Sequence, residues 1–284
     1  MNEEGKITKK KVVAVIISIG LLSFAGGYLL SDQQKGGSIS DSPLAEDVEA
    51  FSDCNVLGID LHGTLLTYVP PNNDDSLIAD TDIVASQNII YYINQAKDDE
   101  NIKAILVEVD SFGGLPVAGE EIANALKSSS KPTAAYIRQT GASAAYWAIS
   151  SAGRIFASRN SDVGSIGVST SYLGNVNRNQ KEGYDFIQLT AGKYKDMGSP
   201  DKTLTEEERA LIIRDLNVVH QNFIEDVSVN RGIPVEDVKK IADGTTVLGE
   251  KAKSLRLIDE IGGLPEAKKY LSEKIKEEVK FCWY

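Results

Sequence analysis

The sequence predicts an α/β protein with a layered, largely parallel sheet, and three observations carry that reading. Short apolar runs that read as buried strands, at residues 104–109 (AILVEV), 134–137 and 154–157, alternate with longer stretches of helical spacing. Glycine-containing turns punctuate the alternation, above all Asp110-Ser111-Phe112-Gly113-Gly114 and the Gly262-Gly263 pair. Hydrophobic residues make up 42% of the 284, enough to bury a sizeable core.

Taken in order, residues 55–68 read as one or two strands and residues 81–96 as a helix opening at Thr81-Asp82. The strand at 104–109 is followed by a helix at 116–127. The run at 134–137 turns through Thr140-Gly141 into a helix at 142–148, which places Ser143 at a strand-to-helix junction. Residues 154–157 and 186–189 read as strands, and 163–168 as a tight glycine-rich segment. The longest helix spans 205–229, with Thr205 and Glu208 at capping-box spacing. Short helices at 235–242 and 250–255 and a terminal helix at 265–279 complete the domain.

Ahead of it, residues 12–30 carry no charge and would span about 28 Å as a helix, close to the thickness of a bilayer core. Lys9, Lys10 and Lys11 sit directly before this stretch, so residues 1–11 are expected in the cytoplasm and the rest outside it. A cleaved signal peptide is the competing reading. The apolar run is long for a signal core and continues past Ala25, which favours a retained anchor at 12–30. Residues 31–50 are polar and rich in Gly and Ser and read as a linker, leaving 51–284 as the folded domain.

Charge and side-chain chemistry narrow the function. A net charge of −11 argues against nucleic acid, whose phosphates need clustered Lys and Arg. Only two histidines, His62 and His220, and two cysteines, Cys54 and Cys282, are present, and no cluster has metal-ligand spacing. The cysteines read as two thiols, with a disulfide open. Ser143 is either a helix cap or a nucleophile near the amides of the first helical turn. A Ser-His-Asp triad would need His62, which lies in the first strand region, or His220, which lies inside the longest helix. Both read more readily as structural histidines. A neutral lysine can replace histidine as base, because burial among apolar groups favours the amine. Lys193 and Lys195 are the candidates, two residues apart, and spacing alone does not separate them.

Five motifs in order, Ser-Phe-Gly-Gly (111–114), Gly-Ala-Ser-Ala-Ala-Tyr-Trp (141–147), Gly-Ser-Ile-Gly-Val (164–168), Gly-Lys-Tyr-Lys-Asp (192–196) and Ala-Asp-Gly-Thr-Thr-Val-Leu-Gly-Glu-Lys-Ala (242–252), make the chain resemble the signal peptide peptidase A, or protease IV, family in its short membrane-anchored form. The resemblance implies a ClpP/crotonase-like domain preceded by one N-terminal transmembrane helix. It implies a serine endopeptidase with a Ser-Lys dyad and no cofactor or metal, facing the extracytoplasmic side of the cell membrane. Its substrates would be apolar peptides such as cleaved signal peptides, and it would work as a homo-oligomer. Matched to the family pattern, Ser143 is the nucleophile, Lys195 the general base and Ser165 the residue that orients the lysine. Gly114 and Ala144 supply the oxyanion donors. Phe112 stands where the family usually has proline, and Ala144 and Ala145 where it usually has one or two glycines. A non-catalytic peptide-binding protein of the same fold, and an acyl-CoA enzyme of the crotonase type, are the rival readings.

Overall fold

The computed structural model describes residues 53–69 and 82–284. The expected cytoplasmic N-terminus, anchor and linker therefore lie outside the described residues. Among the described residues no helix is long and apolar enough to cross a membrane.

A mostly parallel sheet runs in the order β2 (Ile83–Ala85), β1 (Val56–Leu66), β3 (Ala104–Gly114), β4 (Thr133–Ala142), β5 (Ile155–Ala157) and β8 (Glu260–Ile261). β6 (Asp162–Gly164) extends the pairing beyond β4, and β7 (Thr246–Leu248) joins β6 antiparallel. β9 (Phe281–Trp283) lies parallel to the start of β1.

Alternation along each strand splits the core in two. Leu57, Ile59 and Leu61 of β1, Ile105, Val107 and Val109 of β3, and Ala135 and Ile137 of β4 face the larger layer. That layer holds α1 (Ser86–Asp98), α2 (Pro116–Ser128), α3 (Ala144–Ile149) and α5 (Glu206–Arg231), together with α6 (Val235–Ile241) and α7 (Gly249–Ser254). The alternate residues Val56, Leu106, Ala134 and Phe156 pack beneath α8 (Leu264–Ile275) on the other face. The sheet is thus covered on both sides, as a parallel sheet requires.

α3 and α5 are joined at their centre. The rings of Trp147 and Phe223 stack with centroids 4.4 Å apart, and the Trp147 indole N–H donates to Asp226 at 2.8 Å. A stacked pair of this kind contributes about 1 kcal/mol beyond its burial. The capping box expected at the head of α5 is formed: the Thr205 hydroxyl accepts from the Glu208 N–H, and the Thr205 N–H donates to the Glu208 carboxylate.

Three local expectations are corrected, and the segment that carries the two candidate lysines is defined. Ile83 and Val84 belong to the short strand β2, and the helix begins only at Ser86, because the edge of β1 is open to pairing there. Residues 186–189 form no strand; they are exposed and have no sheet partner. Gly192 to Gly198 is a series of turns, so Lys193 and Lys195 do not sit on one face of an extended segment. The terminal helix stops at Ile275, with Lys276 left-handed (φ 59°), which frees the end of the chain to return to the sheet.

The two cysteines are bonded to each other. Cys54 precedes β1, Cys282 lies in β9, and their Cα atoms are 5.7 Å apart. The aromatic tail is accordingly a fixed strand. Trp283 lies over Gly58, where a side chain would collide with its ring, and the ring of Tyr284 sits 4.6 Å from that of Tyr92.

Candidate active site

The carboxyl ends of β1, β3 and β4 converge with the start of α3, the usual location of a site in an α/β sheet. Ser143 occupies the single position between β4 and α3. Its backbone is unusual for a residue with a side chain, with φ 52° and ψ −129°. A conformation of this kind costs on the order of 1–3 kcal/mol and is held by its surroundings. The holding contacts are identifiable. The Ser143 N–H donates to the Gly164 carbonyl at 2.8 Å, and buried Ala142 and Ala144 flank it.

Two glycines pack against this junction for different reasons. Gly113 has φ +102°, and a Cβ there would lie 2.8 Å from the Ser143 Cβ and 2.9 Å from the Ala144 nitrogen. Its own N–H donates to the Ser111 hydroxyl at 3.0 Å. Gly114 instead passes so close to the Leu65 backbone that any side chain would overlap the Leu65 carbonyl. For Gly114 the nearer constraint is the approach of β1.

Ser143, Gly114 and Ser165 line one cavity of about 600 Å³, walled further by Pro116, Val168 and Asp243. Ser165 also has positive φ (51°); its hydroxyl donates to the Gly244 carbonyl at 2.9 Å and its N–H to the Thr245 carbonyl at 3.0 Å. Ala144 is the first residue of α3, and among the described residues no acceptor takes its N–H. Phe112 is exposed (84%) beside the glycine pair, and exposed Leu115 and Val117 continue an apolar rim next to it.

Lys195 lies elsewhere. It is exposed on the long connection between α4 (Val176–Glu182) and α5 and does not line this cavity. Its side chain has no hydrogen bond or ion pair among the described residues. The lysines on either side do. Lys193 meets both oxygens of Glu207 at 2.7 Å, and that contact raises its pKa above the ordinary lysine range. Lys202 bridges Asp196 at 2.9 Å and Glu208 at 2.6 Å. Lys193 is therefore held as an ammonium ion, and Lys195 is the lysine left uncommitted.

The cavity also holds a residue that sequence reading set aside. His220, on α5, lines the wall with Ser143, and its Nε2 is buried without a hydrogen-bond partner. The signal was available, since His220, Phe223 and Val227 share helical spacing with an apolar face. His62 is on β1, with Nε2 3.2 Å from Glu108. Asp60, His62 and Glu108 bring ligand-type atoms within 4.8 Å of one another, the one such group among the described residues. Glu108 there already accepts from Arg138 at 2.9 Å and from the Tyr136 hydroxyl.

A strained serine beside the free N–H of Ala144, in a polar cavity at the carboxyl edge of a parallel sheet, is an arrangement suited to a serine hydrolase. Comparison with known proteins narrows the class. Residues 125–278 match Peptidase family S49, and the chain belongs to that family of serine proteases. A candidate protease of Methanocaldococcus jannaschii is 30% identical over 267 residues, covering 92% of this chain and 81% of that one. The chloroplastic serine protease SPPA of Arabidopsis thaliana is 28% identical, over 65% of this chain and 28% of its own length. Protease 4 of Haemophilus influenzae is 30% identical, over 66% of this chain and 31% of its own length. This chain thus spans most of the first relative and about a third of the other two. Among solved structures, a mutant ClpP1 from Listeria monocytogenes superposes with a TM-score of 0.46 at 14% identity, covering 74% of this chain and 92% of that one.

Proposed function

We propose that this chain is a membrane-anchored endopeptidase in which Ser143 attacks the peptide carbonyl and neutral Lys195 takes its proton. The protonated lysine then returns the proton to the leaving amine, which releases the first product. Water, deprotonated by the same lysine, hydrolyses the acyl-serine. The N–H groups of Gly114 and Ala144 receive the oxyanion, and Ser165 orients the lysine. The observation that carries this reading is Ser143 itself, held at positive φ in a cavity it shares with Gly114 and Ser165.

The separation of Lys195 from the cavity adds a requirement. Lys195 sits on an exposed connection whose Tyr184, Ile187 and Leu189 have little to pack against in one copy. In the proposed homo-oligomer this connection reaches a neighbouring copy, and Lys195 of one chain completes the site of the next. The apolar rim of Phe112, Leu115 and Val117 supports apolar peptides, such as signal peptide remnants, as substrates. The Cys54–Cys282 disulfide supports an oxidising, extracytoplasmic location, and the uncharged stretch 12–30 supports the anchor.

The test is complementation. Ser143→Ala and Lys195→Ala are purified separately and assayed with an apolar fluorogenic peptide, then unfolded, mixed and reassembled. Each alone should be inactive, and the mixture should regain a substantial fraction of wild-type turnover. Inactivity of a correctly assembled mixture would place both residues in one chain. Failure of a fluorophosphonate to label Ser143 in the wild type would favour a non-catalytic peptide binder.

A further inference from the structure

Ser111 is a buried serine, in the turn that leads to Gly113, that the proposed chemistry does not use. Its hydroxyl donates to the Gly63 carbonyl at 2.6 Å and accepts from the Gly113 N–H at 3.0 Å. The place where it does so is a fault in the sheet. The Leu115 N–H donates directly to the Leu65 carbonyl at 2.8 Å, as a parallel ladder requires. Two residues earlier on each strand, the same ladder would join the Gly113 N–H to the Gly63 carbonyl. The Ser111 hydroxyl stands between those two groups instead. The pairing of β1 with β3 shifts register here: β3 carries one more residue than β1 between the pairs His62–Asp110 and Thr64–Gly113. An extra residue of this kind makes a β-bulge, and bulges re-aim the backbone next to active sites. In this one Phe112 is exposed, and Gly113 takes φ +102° beside Ser143.

We propose that Ser111 is a positioning residue for the reaction at Ser143. Its hydroxyl is a spacer in the ladder. It keeps the Gly113–Gly114 turn from closing onto β1 and holds it beside Ser143, where the Gly114 N–H meets the oxyanion. The proposal rests on the reading of Gly114 and Ala144 as oxyanion donors. It gives the two donors different supports: the Ala144 N–H is set by the start of α3, and the Gly114 N–H by a side chain inserted between two strands. Without the hydroxyl, the Gly113 N–H and the Gly63 carbonyl each lose a partner, and the shortest way to recover one is to meet each other. The turn then moves toward β1 and away from the site. A donor out of place weakens binding of the transition state and leaves ground-state binding largely as it was.

The test compares two buried serines in the full-length protein in detergent. Ser161 also accepts from one backbone N–H, that of Ser158, and its hydroxyl donates to the Ile137 and Arg138 carbonyls, so its bonds lie away from the turn. Ser111→Ala and Ser161→Ala should each lower the melting temperature. Only Ser111→Ala should lower kcat on a fluorogenic apolar peptide, by about tenfold to a hundredfold, with KM within about twofold of wild type. Ser111→Cys keeps nearly the same shape with a weaker hydrogen-bonding group. Its kcat should fall between those of wild type and Ser111→Ala, and it is the variant to read if Ser111→Ala gives no folded protein. A crystal structure of the alanine variant should show Gly113 moved toward Gly63. A loss of kcat no greater than that of Ser161→Ala, a rise in KM that matches the fall in kcat, or a Gly113 that keeps its place overturns the proposal. If Gly113 moves but the wild type hydrolyses no peptide, the spacer stands and the protease reading falls instead.

Discussion

The two halves of the proposed catalytic pair are built in opposite ways. Ser143 is flanked by buried residues at the end of a central strand, with its backbone held against its own preference. Lys195 is exposed on a connection of turns, pinned at its base by Lys202 and carrying Leu189 at 91% exposure. A nucleophile that must meet donors within a few tenths of an ångström benefits from rigid support. In the proposed homo-oligomer the proton carrier would come from a neighbouring copy, and an exposed connection suits that delivery. Under that proposal the site of a single copy is incomplete, and hence silent, until copies come together.

The largest expected effect tests which lysine is the proposed base. Lys195→Ala should lower turnover about a thousandfold, within the range for loss of a general base. Lys195→Arg should not rescue it, since arginine stays protonated. Lys193→Ala should keep most activity, because Lys193 is already bound to Glu207. The measurement is kcat on an apolar peptide. The reverse pattern would move the base to Lys193 and break the distinction drawn from the ion pairs.

The rigid half can be weakened at a distance. Cys54 and Cys282 tie β9 to the amino end of β1, whereas Ser143 lies at the carboxyl end of β4, on the opposite edge of a parallel sheet. Replacing both cysteines by serine should lower stability by about 3–5 kcal/mol, as expected for so long a closed loop. Ser143 labelling at low temperature should persist. Equal loss of labelling and stability, read by denaturant melts, would show that the two edges are coupled.

Much of this contrast was legible in the sequence. The alternation of strand and helix, Ser143 at its junction and the Thr205 cap all follow from local patterns, and the structure contains each of them. What escaped was long-range. β9 pairs with β1 across almost the whole chain, and no local pattern in Phe281-Cys282-Trp283-Tyr284 names its partner. Residues 186–189 have strand composition yet no neighbour to pair with. Helical spacing puts His220 on the apolar side of α5 but does not show that it lines a cavity with Ser143. Lys193 and Lys195 are alike in sequence and separated only by Glu207, which approaches from the next helix.

The glycine pair sharpens the comparison within the rigid half. Gly113→Ala puts a methyl against Ser143 and the Ala144 nitrogen, so turnover should fall by about a hundredfold for a displacement of an ångström or less. The protein should remain folded, with some loss of stability from the positive φ. Gly114→Ala meets the Leu65 backbone and should reduce folded yield and activity together. If thermal melts show both variants equally unfolded, Gly113 has no role separate from the turn.

The smallest effect concerns the latch under the exposed half. Lys202 hydrogen-bonds Glu208 and Asp196, and those contacts raise the pKa of Lys202. The Lys202 bond, followed by that from the Thr205 N–H, holds the Glu208 carboxyl below its ordinary range. A lowered carboxylate contributes stability that is present above its unfolded value, about 4.3, and lost as pH falls through the folded value. A raised lysine contributes stability that is present below its unfolded value, about 10.4, and lost as pH rises through the folded one. The latch should therefore hold across the whole interval between them and loosen only outside it. Hydrogen exchange over residues 193–203, normalised to intrinsic rates, should show steady protection from pH 5 to pH 9 and a loss below about pH 4, the carboxylate range. Lys202→Met should show the unprotected pattern already at neutral pH, while the amides around Ser143 keep theirs. If protection near Ser143 falls in step with protection of the connection, the two halves are one cooperative unit. Delivery of Lys195 by a separately mobile segment would then have to be abandoned.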